Sequence, residues 1–236
     1  MVRCIDRRIL VNFRAEPDVI AQVLPKPFRP HIHNGCAVVG ICLIRFVHMR
    51  PSGLPGFVGT TSENSAHRFA VEWDRDGAVR SGVYIPRRDT NSRINALVGG
   101  KIFPGSSHYS HFDVTESDDR YDIEVRPEDA SAGMRISAGA KGDFPADSIF
   151  SSLDSASDFF KLGSVGYSAT SEPGRYDGLE LRCQHWRMEP LSVTDVHSSY
   201  FQDASLFPPL ALVFDNALLM RRIQHQWIGL DDIRCG

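Results

Sequence analysis

Between positions 99 and 111 the chain reads Gly99-Gly100-Lys101-Ile102-Phe103-Pro104-Gly105-Ser106-Ser107-His108-Tyr109-Ser110-His111. Glycines, small hydroxyls, one amine and two imidazoles stand together here, and such a loop brings backbone N–H groups and side chains to a ligand. A desolvated Lys101 amine is a nucleophile; in water it is an ordinary loop lysine, the commoner fate of this residue type. His108 and His111 can exchange protons near neutral pH. The plain alternative for the segment is a polar connection between a helix and a strand. A second constellation is Glu63-Asn64 with Arg68. A buried carboxyl beside a guanidinium can hold a substrate carboxylate or act as a base of adjusted pKa, or it is a structural ion pair at a strand end.

Metal chemistry finds little footing. His108 and His111 are three residues apart, which on a strand sends them to opposite faces, whereas His31 and His33 would share one. No His-Glu-x-x-His or paired Cys-x-x-Cys motif is present, so neither a metal nor another cofactor is expected. There is no Gly-x-Ser-x-Gly elbow and no phosphate loop or dinucleotide fingerprint; Gly163-Ser164-Val165-Gly166 is too short a likeness to either.

The elements that position these groups are mostly strands. Arg8 to Phe13 reads as a first strand. Glu16-Pro17-Asp18 opens a short helix with proline at its start, striped by Val19, Ile20, Val23 and Leu24 and ended by Pro25 and Pro27. Cys36 to Met49 is a buried strand, followed by a loop over Pro51 to Gly56. Arg68 to Trp73 and Val79 to Ile85 form a hairpin across Asp74-Arg75-Asp76-Gly77. Asn91 to Val98 reads as a short helix closed by Gly99-Gly100. His108 to Thr115 pairs with Tyr121 to Val125, and Met134 to Ala140 is a further strand. Asp147 to Leu162 is the longest predicted helix, with Gly163 as its stop. Leu179 to Met188 and Leu191 to Tyr200 read as strands, and Asp215-Asn216 caps a final helix through Ala217, Leu218, Met220 and Ile223. So many strands with so few helices make an α+β, β-rich fold, whose one large antiparallel or mixed sheet curls and closes to remove its edges.

Composition narrows the function classes. The chain has 236 residues and a formal net charge of -3, which disfavours nucleic acid as a partner. It has no linker or repeat, so a single domain over 1–236 is expected. Five cysteines without a compact pattern argue against a disulfide framework. The start of the chain lacks a secretory apolar core, and Arg45 and His48 break the longest apolar stretch, so no membrane span is expected and the cytoplasm is the default location. A homodimer is expected from the frequency of two-fold assemblies.

The order of elements then carries a resemblance. The first strand, Asp18-Val19-Ile20-Ala21-Gln22-Val23-Leu24-Pro25, the Cys36 to Val47 strand, Glu63-Asn64, Gly82-Val83-Tyr84, Phe103-Pro104 and the closing Phe214-Asp215-Asn216-Ala217-Leu218-Leu219-Met220 resemble acetoacetate decarboxylase-like proteins, most closely an uncharacterised branch of that superfamily. The resemblance implies a cone-like barrel with a few flanking helices and an enclosed pocket. Decarboxylases of the family place two consecutive lysines after a Phe-Pro pair, one forming a Schiff base and the other lowering its pKa. Here Gly105 and Ser106 occupy those positions, and neither can form an imine. Lys101, four residues before the expected nucleophile, would need another backbone path. The resemblance therefore implies a pocket for a small oxo or carboxylate compound without the Schiff-base decarboxylation. Glu63, His108 and His111 are the candidate catalytic groups, and Arg68, Tyr84, Lys101, Ser106 and Tyr109 the candidate substrate-binding groups. Three readings stay open: a lyase or hydratase using Glu63 and a histidine, a metal-dependent enzyme using the histidine pairs, and a non-enzymatic binding or assembly subunit.

Overall fold

Alternating and doubly apolar segments dominate the chain, and they form long strands. The computed structural model describes residues 3–49, 60–97 and 105–235. In chain order its elements are β1 (Arg3–Ala15), α1 (Pro17–Val23), β2 (Arg29–Pro30), β3 (Ile32–His33), β4 (Cys36–Met49), β5 (Thr60–Arg75), β6 (Ala78–Thr90), α2 (Arg93–Leu97), β7 (Ser107–Glu116), β8 (Arg120–Pro127), β9 (Met134–Gly139), α3 (Leu153–Leu162), β10 (Val165–Ala169), β11 (Arg175–Cys183), β12 (Glu189–Pro190), β13 (Ser192–Ser198) and β14 (Leu212–Arg234). The predicted loop over Pro51 to Gly56, the end of the Asn91 to Val98 helix, and Lys101 with Phe103-Pro104 lie outside the described residues.

Hydrogen-bonded pairing closes an irregular ring of seven strands. β1 lies antiparallel between β14 and β4, β4 pairs with β5 and β5 with β6. β6 then pairs in parallel with β10, β10 with β11 and β11 with β14. The far end of β6, Arg88 to Thr90, leaves the ring and pairs in parallel with Ser107 to Tyr109 of β7. From there β7, β8, β9 and β13 continue as an antiparallel branch. One strand thus serves both parts, and the result is the expected α+β curled, cone-like mixed sheet rather than a regular barrel. Among the described residues no helix is long and apolar enough to cross a membrane.

Two apolar layers follow from the period-two alternation of these strands. One face carries Ile9, Val11, Ile41, Phe69 and Val71, packed with Tyr121, Ile123 and Ile136 of the branch. The other carries Ile5, Leu10, Cys42, Ala66 and Leu181, closed by Phe150, Phe159 and Phe160 at α3. A cluster of opposite charges fixes the first face. Arg7 donates to Glu63 at 2.6 Å and to Glu116 at 2.6 Å, and Arg45 donates to Glu63 at 2.6 Å and pairs with Glu116 at 2.8 Å. These bonds tie β1, β4 and β5 of the ring to β7 of the branch. Beside them His67 is fully buried with neither ring nitrogen hydrogen-bonded, 4.7 Å from the Tyr200 ring.

Three sequence expectations are corrected. Asp147 to Ser152 is not helical; α3 begins at Leu153, where the Ser152 hydroxyl accepts the Ser155 N–H as N-cap. The preceding turn is held by Asp215, which accepts from the Ser148 hydroxyl at 2.7 Å and the Ile149 N–H at 3.0 Å. Asp215 therefore caps no final helix: residues 212–234 are one strand, β14. Ala217 to Met220 are buried on both faces, and a run buried on both sides has no alternation to separate it from a short helix. The strand predicted over Leu179 to Met188 starts earlier, at Arg175, and ends at Cys183.

Arg7 is 1% exposed, so Arg7→Met, which leaves Glu63 and Glu116 short of a cation, is expected to cost roughly 3 kcal/mol in urea denaturation; adding Glu63→Gln should recover part of the loss. Burial, reinforced by the Arg87 charge, pulls His67 down to about 3 from 6.5. The unfolded chain therefore takes up the proton first: stability is whole above pH 6.5 and falls as pH drops toward 3. The chain should lose about 1.4 kcal/mol per pH unit from this group across that window, and His67→Gln should flatten the slope by that amount. Equal slopes in the two proteins would assign the titration elsewhere.

Candidate functional site

All seven ring strands contribute to one hollow. Its lining includes Arg8 from β1, Cys42 and Ile44 from β4, Ala66 and Arg68 from β5, Val83, Ile85 and Arg88 from β6, Gly166 from β10, Leu179 and Leu181 from β11 and Trp227 from β14. A second lobe shares Cys42, Ile44, Ala66, Arg88 and Trp227 and extends to Asn64, Thr90 and Ser107. Each lobe has a volume of about 60 Å³, room for about four water-sized groups.

Three guanidinium groups face this small space. Arg8 and Arg68 are 7% and 5% exposed. Among the described residues neither has a carboxylate at ion-pair distance. Arg8 instead donates to the Cys42 sulfur at 3.2 Å and lies over the Trp186 ring. Arg68 lies over the Phe160 ring at 5.0 Å, and its Nε is buried without a hydrogen-bond partner. Arg88 donates to the Ser168 hydroxyl at 3.3 Å. Burial pulls Arg68 down to about 10, with Arg8 adding to the fall, and burial pulls Arg88 to about 10 as well; both stay cationic at neutral pH. Asp89 borders the second lobe but is committed to Arg87 at 2.8 Å and to the Ser110 hydroxyl at 2.9 Å.

The position of Arg68 follows from one row of residues. Arg68, Gly40, Asn12 and Asn216 are register partners across β5, β4, β1 and β14. Arg68 donates to the Asn12 side-chain oxygen Oδ1, the Asn12 side-chain amide to Asn216 Oδ1 at 2.7 Å and the Asn216 side-chain amide to the Asp215 carboxylate at 2.6 Å. Gly40 makes the crossing feasible: a Cβ there would stand 2.3 Å from the Val11 carbonyl oxygen and 3.3 Å from the Arg68 guanidinium.

Of the residues singled out from sequence, Arg68 lines the hollow. Glu63 lies on the other face, in the Arg7 and Arg45 cluster. Tyr84 alternates with Val83 and Ile85 and faces Phe28 and Tyr176, with burial raising its phenol pKa. His108 is half-exposed beside Asp129 at 3.3 Å, and His111 is exposed next to Tyr109. Tyr109 stacks under Arg93. Ser106 is exposed, and its neighbour Ser107 reaches the hollow. Gly105 has φ +79, and a Cβ on it would meet the Ser168 Cβ at 2.7 Å. Among the described residues no group of three or more His, Cys, Asp or Glu side chains is placed to hold a metal ion. Sequence reasoning missed Arg8, Arg88, Cys42 and Trp227. For Arg8 and Cys42 the available signal was a charged or thiol residue at the parity of buried apolar neighbours, Leu10 and Phe46 respectively; Arg88 gave no such signal, because a bulge in the pairing of β5 with β6 sets it on the face of Val83 and Ile85 against their parity.

The family model DUF2071, an uncharacterized conserved protein, matches residues 5–216. No curated protein matches the chain by sequence. Among solved structures, acetoacetate decarboxylase from Legionella pneumophila subsp. pneumophila str. Philadelphia 1 is similar, with 14% identity over 98% of this chain and 87% of that one and a TM-score of 0.56. An acetoacetate decarboxylase-like enzyme from Sphingomonas wittichii RW1 is 10% identical over 100% of this chain and 92% of that one, with a TM-score of 0.60. The enduracididine biosynthesis enzyme MppR complexed with pyruvate is 11% identical over 98% of this chain and 90% of that one, with a TM-score of 0.57. At these identities the likeness is one of fold. The chain belongs to the DUF2071 family and has the acetoacetate decarboxylase-like fold.

Proposed function

We propose that this chain is a small-molecule pocket protein whose ring hollow takes a small organic acid bearing an oxo group, with Arg68 and Arg8 holding the carboxylate. The observation that carries this reading is that both guanidinium groups are buried in the lining without a carboxylate partner among the described residues. A buried cation without a counter-charge is costly, and an anion of matching geometry removes that cost while gaining charge-assisted hydrogen bonds. The free Nε of Arg68 leaves a donor for it. The lobes suit a ligand of a few heavy atoms, and their aliphatic and Trp227 walls suit its carbon skeleton. Chemistry through an imine at the turn after Phe103 is not part of this reading, because Gly105 and Ser106 carry no amine. The pyruvate held by MppR, a protein of the same fold, agrees in ligand class.

Thermal denaturation with short carboxylates and oxo acids tests the reading, since a ligand of the native state raises apparent stability. Glyoxylate or pyruvate should raise the melting temperature, and neutral analogues of equal size should not. Arg68→Met should weaken that binding by roughly ten- to a hundredfold. Equal responses to charged and neutral analogues, or full binding by Arg68→Met, would remove the basis of the assignment.

A further inference from the structure

Within the same hollow one nucleophile stands among the cations. Cys42 is 5% exposed and is a free thiol. It borders both lobes, and its sulfur accepts the Arg8 Nε–H at 3.2 Å. Arg68 and Arg88 line the lobe it shares. The partnerless buried Nε of Arg68 independently marks this space as awaiting an anionic group. Thus a ligand carboxylate fixed by the guanidinium groups has its adjacent carbonyl carbon held in the space that Cys42 borders.

We propose that Cys42 captures the carbonyl of this ligand covalently and reversibly, in the role that an amine would otherwise fill. The inference rests on the oxo-acid reading of the hollow. The thiol adds across the carbonyl double bond: a sulfur–carbon bond forms, the carbonyl π pair moves to oxygen, and the proton leaving sulfur ends on that oxygen as a hydroxyl. Nothing is oxidised or reduced, and the reverse step returns thiol and oxo acid. Negative charge passing from sulfur to oxygen stays among guanidinium groups throughout, the arrangement that stabilises developing anions. An α-oxo acid, with an aldehyde or a ketone next to its carboxylate, is the class that presents both handles at this spacing. Glyoxylate is the smallest of them, and its aldehyde adds thiols more readily than a ketone does.

Two measurements on the full chain test this. In the first, native protein is treated with anionic iodoacetate or neutral iodoacetamide, and modification is mapped by peptide mass spectrometry. The half-buried Cys36, Cys183 and Cys235 serve as internal references. The iodoacetate-to-iodoacetamide rate ratio at Cys42 should exceed that of the references by about tenfold. Glyoxylate should protect Cys42, and Arg68→Met should erase the preference. In the second, glyoxylate labelled with carbon-13 at the aldehyde should give a bound, sulfur-substituted carbon signal. That signal should vanish in Cys42→Ser, with binding weakened about tenfold; Cys42→Ala provides the second variant if serine lowers the melting temperature. If glyoxylate still raises the melting temperature but Cys42→Ser binds it unchanged and no sulfur-bound carbon is seen, covalent capture is wrong and the carboxylate site stands. If no oxo acid shifts the melting temperature of the native chain, the reading of the hollow fails and this inference falls with it.

Discussion

A guanidinium crossing a glycine organises this molecule. Arg68 on β5 passes over Gly40 on β4 to reach Asn12 on β1, which bonds in turn to Asn216 on β14. Four neighbouring strands are thereby locked in one register by side chains in addition to their ladders, and a slip of one residue would turn every one of these polar groups to the wrong face. The relay ends on Asp215, whose carboxylate also holds the turn ahead of α3. The helix that closes the hollow and the cation inside it therefore hang on the same string of hydrogen bonds. The charge of Arg68 reaches its nearest carboxylate in this string only through two amides, which leaves its electrostatic field directed into the hollow.

The two faces of β1 divide the electrostatics. Arg7 and Arg8 are adjacent in sequence and point to opposite sides, as strand geometry requires. Arg7 is saturated by Glu63 and Glu116 and belongs to the scaffold. Arg8 meets sulfur and an aromatic ring instead. The same division recurs on β6, where Arg87 is chelated by Asp89 and Asp129 while Arg88 faces the ring interior. On one side of the sheet the arginines are thus paired with carboxylates, while among the described residues Arg8 and Arg68 on the other have none at ion-pair distance. Arginine suits the second role because it keeps its charge when buried, whereas a lysine in the same surroundings would shed its proton more readily.

The parts of this arrangement that follow local rules were readable from the chain. The hairpin across Asp74 to Gly77 was marked by turn residues between two β-rich runs and is present as β5 and β6. The β7 and β8 pair and the proline-started α1 followed from similar signals. Tertiary context decided the rest. Ala217 to Met220 gave no period because both of their faces are covered. Arg8 looked like the boundary of a strand when it is the middle of one, since only the closed ring supplies an interior for it. Glu63 had the right chemistry for a pocket, but its parity on β5 set it on the scaffold side with Arg7. Arg68 was identifiable because a guanidinium close to Glu63 at the entry of a strand suggested a site for a substrate carboxylate, although the two serve different faces.

The turn at Gly105 has a chemical consequence. Its left-handed backbone angle and the contact that any Cβ would make with Ser168 mean that a lysine codon introduced at this position would not by itself restore an amine to the hollow. The loop path and β10 would have to change together, and each change alone brings only strain. Polar chemistry inside the ring thus rests on groups the strands already carry, the arginines and the Cys42 thiol, and not on an amine at Gly105.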